Sequence, residues 1–359
     1  MKKISSLTLV LSDKCNFSCP YCPQHKGENT LKIRDIRDFL DLLRPFLDRE
    51  AWLGFYGGEP LLSWPLVKKT VAYAEKNFRD KFRFTLTTNG SLVKKEHILF
   101  FKKHHFDLVL SYDGLAQKNR DARSLPAVEA ALKNLQAYYP DGYTVNSVFT
   151  PRTMPLLAAS VNKLLSQGHS HLQYSLDMCV PWENADLAAL EKQLDRLMTI
   201  CMKYWQKNGK MPLENFRGNG KRGIFACFAG RDRLALLPDR SVWGCYLFYD
   251  LLGQDMRNAD YAKYCFGKLE DFIPAFKKVF PSVAANYAEL RQDCFFSEKK
   301  ELCGLCDDLE RCTVCPVVAA LATGTLAVFP SWTCRIKKIT RAAAAAGGRA
   351  AGLLKLNFP

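Results

Sequence analysis

Between residues 5 and 177 the chain alternates two hydrophobic patterns. Short runs dense in Val, Leu, Phe, Tyr and Thr recur at SLTLVLS (6–12), WLGFY (52–56), FRFTLTT (82–88), DLVLSY (107–112), TVNSVFT (144–150) and HLQYSLDM (171–178). That is the composition of buried strands. Between them apolar positions fall three and four apart. The stretch IRDIRDFLDLLRPFL (33–47) places Ile36, Phe39, Leu40, Leu43, Phe46 and Leu47 on one helical face. Segments 65–78, 94–103, 126–139 and 155–167 read the same way. Strand and helix alternating six times implies parallel strands joined by crossover helices. Six units are too few to close an eight-stranded barrel. The expected fold is α/β, a partial (β/α)6 TIM-like barrel over residues 1–215.

A long helix over 186–208 ends that pattern. FRGNGKRG (216–223) then reads as a linker, and RLALLPDRSVWGC (233–245) as a hairpin turning at Pro238 and Asp239. Residues 216–340 are expected to form a small cysteine-rich domain. Residues 341–359 form an Ala/Gly-rich tail with at most a short helix.

Composition sharpens this picture at two points. No apolar run approaches the roughly 18 residues needed to cross a bilayer, and the opening MKKISSLTLVLSDK turns polar too soon for a signal peptide. The expected compartment is the cytoplasm. There, 14 cysteines at tight spacings argue for metal and against a disulfide framework. The formal net charge of +15 suits an acidic protein or peptide partner. Lys and Arg are spread along the chain without an arginine-rich recognition stretch, so nucleic acid is not expected.

The cysteines fall in two regions. Cys15, Cys19 and Cys22 in CNFSCPYC form a Cys-x3-Cys-x2-Cys triplet after the first strand. Three thiolates leave one position of a metal site open, which suits chemistry better than structure. The ends of the next three strands carry GGEP (57–60), TNG (88–90) and Ser111-Tyr112-Asp113-Gly114. Ligands bind at the C-terminal ends of such strands.

The triplet, GGEP and Ser-x-Asp-Gly, in this order and place, resemble the radical S-adenosylmethionine (SAM) enzymes over residues 1 to about 210. The resemblance implies a [4Fe–4S] cluster on Cys15, Cys19 and Cys22, with the fourth iron chelating the methionine end of SAM. Reductive cleavage of the sulfonium then gives a 5′-deoxyadenosyl radical that abstracts hydrogen. It also implies SAM contacts: Tyr21 against the adenine, Gly57 and Gly58 beside the methionine, and Glu59 receiving its ammonium. Ser111 would meet the ribose, Asn89 and Asp113 would shape the same pocket, and Arg123 would take the carboxylate.

CGLCDDLERCTVC (303–315), with Cys334 after it and Cys227 and Cys245 before it, resembles the SPASM extension of radical enzymes that modify peptides. One gap departs: two residues, Thr313 and Val314, separate the last pair of the knot, where three are usual. The resemblance implies one auxiliary cluster on Cys303, Cys306, Cys312 and Cys334. A second would sit on Cys227, Cys245 and Cys315, with Cys265 or Cys294 as a candidate fourth ligand. By spacing alone, zinc suits the knot equally well.

The implied activity is maturation of a ribosomally made precursor peptide, by thioether or C–C cross-linking, with an auxiliary cluster accepting an electron and a flavodoxin- or ferredoxin-type donor. No leader-binding domain is expected ahead of the first strand. One alternative is a formylglycine-generating sulfatase maturase. That family keeps an aspartate base after the hairpin cysteine, whereas Tyr246 stands here, and a phenol of ordinary pKa is a poor base. The others are a radical enzyme on a small molecule and a zinc-stabilised nucleic-acid-binding protein.

Overall fold

The computed structural model describes residues 3–24, 26–79, 81–217, 229–252, 259–290, 295–298, 302–307, 309, 312 and 314–355. The expected linker from 218 onward, Cys227 and Cys294 lie outside the described residues. The chain divides into two compact units, residues 1–18, 22–109 and 227–291 in the first, and 19–21, 110–226 and 292–359 in the second.

The first unit opens with strand β1 (Ile4–Val10), helix α1 (Ile33–Leu43), β2 (Leu47–Tyr56), α2 (Trp64–Phe78), β3 (Phe82–Thr88) and α3 (Lys95–Lys103). The chain passes from this unit to the next within β4 (Asp107–Ser111). Helix α1 buries Ile36, Phe39, Leu40 and Leu43. It stops at Arg44-Pro45, where the proline ring cannot continue the helix and a short 3₁₀ turn takes over. β1 pairs parallel with β2, and β2 with β3. The expected hairpin forms as β7 (Arg233–Leu236) and β8 (Ser241–Trp243), antiparallel. Its first strand also pairs parallel with β1. A short helix α8 (Ala259–Ala262), strand β9 (Cys265–Lys268) and α9 (Leu269–Glu289) follow, and β9 pairs antiparallel with β8. The sheet order in this unit is β3-β2-β1-β7-β8-β9. Phe106 stacks on Phe55 of β2 and Phe84 of β3 at centroid separations of 5.8 and 5.2 Å, and all three are buried.

The second unit carries α4 (Gln117–Asp121), α5 (Leu125–Tyr138), β5 (Tyr143–Phe149), α6 (Leu157–Ser166), β6 (Leu172–Leu176) and α7 (Asn184–Asn208). β5 and β6 pair parallel. Helix α7 ends at Gly209, whose φ of 66° is the left-handed turn that glycine adopts without strain. The last elements are β10 (Phe296–Ser297), α10 (Pro316–Thr323), β11 (Val328–Phe329) and α11 (Ser331–Lys355). Helix α11 packs on α7. It runs through the Ala/Gly-rich stretch as one helix instead of a tail with a short helical piece. Five successive alanines (342–346) lose no side-chain entropy on becoming helical, which favours this outcome.

The fold is α/β, with the six predicted strands of the barrel region present and a small region of short strands and helices after it. Among the described residues no helix is long and apolar enough to cross a membrane.

Candidate active site

In the first unit, three loops at strand ends are bonded to one another. The loop after β1 runs through Ser12, Lys14 and Cys15. Its Ser12 and Lys14 carbonyls accept from the backbone N–H groups of Gly58 and Glu59, each at 2.9 Å. This backbone-to-backbone approach explains the two glycines. A Cβ at Gly57, where φ is 151°, would lie 2.8 Å from the Ser12 carbonyl oxygen. One at Gly58 would collide with the Lys14 carbonyl and come within 2.9 Å of Cys15 Cβ. The glycines therefore let GGEP press against the cysteine loop itself.

Glu59 is 1 % exposed. Its Oε1 accepts from Leu61 N at 3.0 Å and from the Thr88 hydroxyl at 2.8 Å, and its Oε2 from Asn89 N at 2.8 Å. A carboxylate offers about four acceptor sites, so three are occupied in tying GGEP to the loop after β3. That loop in turn reaches back to the triplet. The Asn89 amide donates to Asn16 Oδ1 at 2.9 Å, and Asn16 donates to Ser91 Oγ at 2.9 Å. Asn16 directly follows Cys15. Its role has no signature in the spacing of the cysteines. Glu59→Gln would turn an NH2 group toward these donors, and leaving buried donors unmatched costs about 1–3 kcal/mol. The expected result is a lower melting temperature, and a Glu59→Gln/Thr88→Val double variant should lose less than the sum of the two single losses, because the two side chains belong to one hydrogen-bonded cluster. An unchanged melting temperature in Glu59→Gln would contradict the brace.

In the second unit, the Tyr21 hydroxyl donates to Asp113 Oδ2, and Val148 N donates to Asp113 Oδ1 at 2.9 Å. Asp113 is 1 % exposed. Burial pushes its carboxyl above the usual range, while Arg120, Tyr21 and Val148 pull it back. Arg120 NH1 lies 3.8 Å from Asp113 Oδ1, with the arginine side chain 9 % exposed. The guanidinium is also within electrostatic reach of the Cys19 sulfur. Arg123, expected to take a carboxylate, is exposed, and its backbone N–H bonds Asp121 at 3.0 Å. The arginine placed inside is Arg120, three residues earlier. Ser111 is half-buried at the end of β4. Gly114, at φ 61°, allows close packing on Ser160 of α6, whose side chain a Cβ would overlap.

Cys15, Cys19 and Cys22 are not disulfide-bonded, and each is half-buried. Among the described residues no three His, Cys, Asp or Glu side chains converge on one point as a cation site. Thiolates that hold a cubane stand at its corners, so such convergence is not what a cluster demands. Three uncrosslinked thiols in a loop braced by hydrogen bonds from two neighbouring loops fit a [4Fe–4S] group with one iron left open.

Residues 9–154 match the family model of the Radical SAM superfamily. The chain carries a radical SAM domain. The match spans the triplet, GGEP, TNG and Ser-x-Asp-Gly, and this superfamily works through SAM and a [4Fe–4S] cluster. A similar curated protein is the radical SAM cyclopropyl synthase TigE of Paramaledivibacter caminithermalis, 24% identical over 137 residues. That match covers 33% of this chain and only 29% of TigE. Among solved structures, native anSMEcpe with bound AdoMet and Cp18Cys peptide superposes with a TM-score of 0.74 at 16% identity, covering 97% of this chain and 99% of that one. Streptococcus suis SuiB bound to precursor peptide SuiA gives 0.60 at 15% identity, over 93% of this chain and 76% of that one. At these identities the likeness is one of fold. It extends beyond the radical SAM domain through the cysteine-rich region.

In that region, within the second unit, Cys303, Cys306 and Cys312 follow one another in tight turns: Cys306 N donates to Cys303 O, Leu309 N to Cys306 O, and Cys312 N to Leu309 O. Burial, then neighbouring Cys312, pushes the Cys334 thiol up, with Cys306 also in reach. Cys315 lies within electrostatic reach of Cys179, whose thiol burial pushes up to about 11. Sequence spacing gave Cys179 no partner, because it follows β6 while Cys315 precedes α10. Within the first unit, Cys245 and Cys265 both lie within electrostatic reach of Tyr287. Tyr246 packs against Tyr56 with the rings tilted by 35° and 4.6 Å between centroids. First Tyr56 and then burial push its hydroxyl well above the ordinary phenol range. Cys201 is fully buried in α7, a packed thiol.

Proposed function

We propose that this protein is a radical SAM enzyme that oxidatively modifies a ribosomally made peptide. The observation that carries the reading is the conjunction of the radical SAM match with a fold likeness running through the cysteine-rich region to proteins solved with bound peptides. Cys15, Cys19 and Cys22 would hold the radical SAM cluster. Cys303, Cys306, Cys312 and Cys334 would hold one auxiliary cluster, and Cys227, Cys245 and Cys315 another. When bound and reduced, the first cluster would supply the electron for reductive cleavage of SAM to a 5′-deoxyadenosyl radical, and an auxiliary cluster would supply a sink for the electron given up by the peptide.

The chain's own residues do the rest. Gly57, Gly58 and Glu59 hold the loop beside Cys15, Asn89 fixes the turn after it through Asn16, and Asp113 fixes Tyr21. Tyr246 is engaged with Tyr56, which leaves it poorly suited to the base role of the sulfatase maturases and favours cross-linking over formylglycine formation. The enzyme would draw electrons from an acidic flavodoxin- or ferredoxin-type donor in the cytoplasm, and its +15 charge suits both that donor and an acidic leader.

The test is to incubate reduced, reconstituted protein with SAM and candidate precursor peptides and follow both products by mass spectrometry. One equivalent of 5′-deoxyadenosine per modified peptide, with the peptide losing two hydrogens, is the expected result. SAM cleavage that no peptide accelerates, with turnover of a small molecule instead, would overturn the peptide assignment.

A further inference from the structure

We propose that Arg120 is a positioning residue for the N-terminal cluster: anchored on Asp113, it holds a fixed positive charge against the Cys19 sulfur and makes the cluster easier to reduce. The proposal rests on the reading that Cys15, Cys19 and Cys22 hold a cluster. The motif spacing does not point to this residue.

Burial sets the problem that Arg120 solves. A guanidinium keeps its charge at any physiological pH, and a buried charge is costly unless anions face it. Asp113 supplies one. Its carboxylate is shared, however: Oδ2 receives the Tyr21 hydroxyl and Oδ1 the Val148 amide, leaving Arg120 at an ion-pair distance of 3.8 Å. A cluster thiolate at Cys19, which lies within electrostatic reach of the guanidinium and two residues from Asp113-bound Tyr21, would supply the second.

Further bonding underlies this arrangement. Asp113 N donates to Gln117 Oε1 at 3.0 Å, and Gln117 is fully buried in the short helix that also carries Arg120. Tyr21, two residues from Cys19, is held by the same carboxylate as Arg120. Both ends of the Cys19–Tyr21 turn are therefore referred to Asp113, and a small shift of the arginine is resisted from several directions.

Iron–sulfur potentials respond to net charge and to hydrogen bonds at the sulfurs. An added electron raises the negative charge of a three-thiolate cluster, so a cation fixed at one sulfur favours the reduced form. Arg120 would thereby help a low-potential cluster accept its electron from a carrier protein. Exposed Arg123 sits in high dielectric, where its charge is screened.

The experiment is a potentiometric titration of the anaerobically reconstituted full chain followed by EPR, the N-terminal cluster being recognised as the signal that changes on adding SAM. Iron is counted first. In Arg120→Met, at the potential where the wild-type cluster is half reduced, the reduced-to-oxidised ratio is expected to fall about tenfold, a shift of about 59 mV for one electron. Arg120→Lys, which keeps the charge, is expected to recover most of that loss. Arg120→Met titrating with wild type would overturn the proposal, as would Arg120→Lys falling as far as Arg120→Met, because shape and not charge would then be the cause. Should Arg120→Met lose its iron, Arg120→Gln keeps a donor without the charge and is compared with Arg120→Lys in the same way. A wild-type chain that takes up no N-terminal cluster would defeat the site reading itself, and the iron count separates that outcome from a missing shift.

Discussion

Replacing Cys15, Cys19 and Cys22 together by alanine is expected to remove about four irons per chain and to bring 5′-deoxyadenosine formation to background. The three thiols are half-buried and free of disulfides, so their loss removes ligands without opening the core. The variant should keep its secondary structure and its melting behaviour, and should still take up iron at the C-terminal cysteines. Iron analysis beside a SAM-cleavage assay checks both halves. Full iron content, or cleavage above background, would show that the trio is not where the cluster sits.

Gly58→Ala is expected to be nearly as damaging, for a purely steric reason. The new Cβ would enter the Lys14 carbonyl oxygen and approach Cys15 Cβ to 2.9 Å, and the obstacle is backbone, which cannot rotate aside. The loop must move. Overpacking of this kind costs roughly 1–3 kcal/mol or more, and the displacement falls on Cys15 and on two backbone hydrogen bonds, Gly58 N to Ser12 O and Glu59 N to Lys14 O. The prediction is a protein that folds with a lowered melting temperature and binds SAM at least tenfold more weakly. Gly209→Ala is the control. A Cβ there meets nothing within 4 Å, so only the strain of its left-handed φ remains, and SAM binding should be unaffected. Equal SAM affinity in Gly58→Ala and wild type would contradict the account of GGEP.

The architecture of the barrel region was legible because its signals are local. Strand runs and helical faces can be counted along the chain, and helix α2 begins within one residue and helix α6 within two of the expected starts. Strand β2 begins at Leu47, five residues before the apolar run suggested, because Asp48, Arg49 and Glu50 are exposed in the pair and carry no hydrophobic signal. The pairing of β7 with β1 joins residues more than two hundred positions apart, and no local pattern announces it.

The candidate site divides the same way. The triplet, GGEP and Asp113 are short motifs at strand ends and could be read directly. Arg120 could not, since NRDAR offers two arginines and only the course of helix α4, which ends at Asp121, decides which one turns inward. The bracing role of Glu59 was hidden for a related reason. A buried carboxylate in a Gly-Gly-Glu loop suits an ammonium, and only the fold shows Leu61, Thr88 and Asn89 donating to it. Proximity of Cys179 to Cys315 likewise depends on tertiary placement.

The most direct test concerns the open iron. EPR spectra of the dithionite-reduced, reconstituted protein should be recorded with and without SAM, in the wild type and in the chain lacking Cys15, Cys19 and Cys22. The account predicts that SAM alters one cluster signal in the wild type, and that this signal is absent from the variant. Spectra indifferent to SAM in the wild type, or a SAM-sensitive signal that survives in the variant, would contradict it.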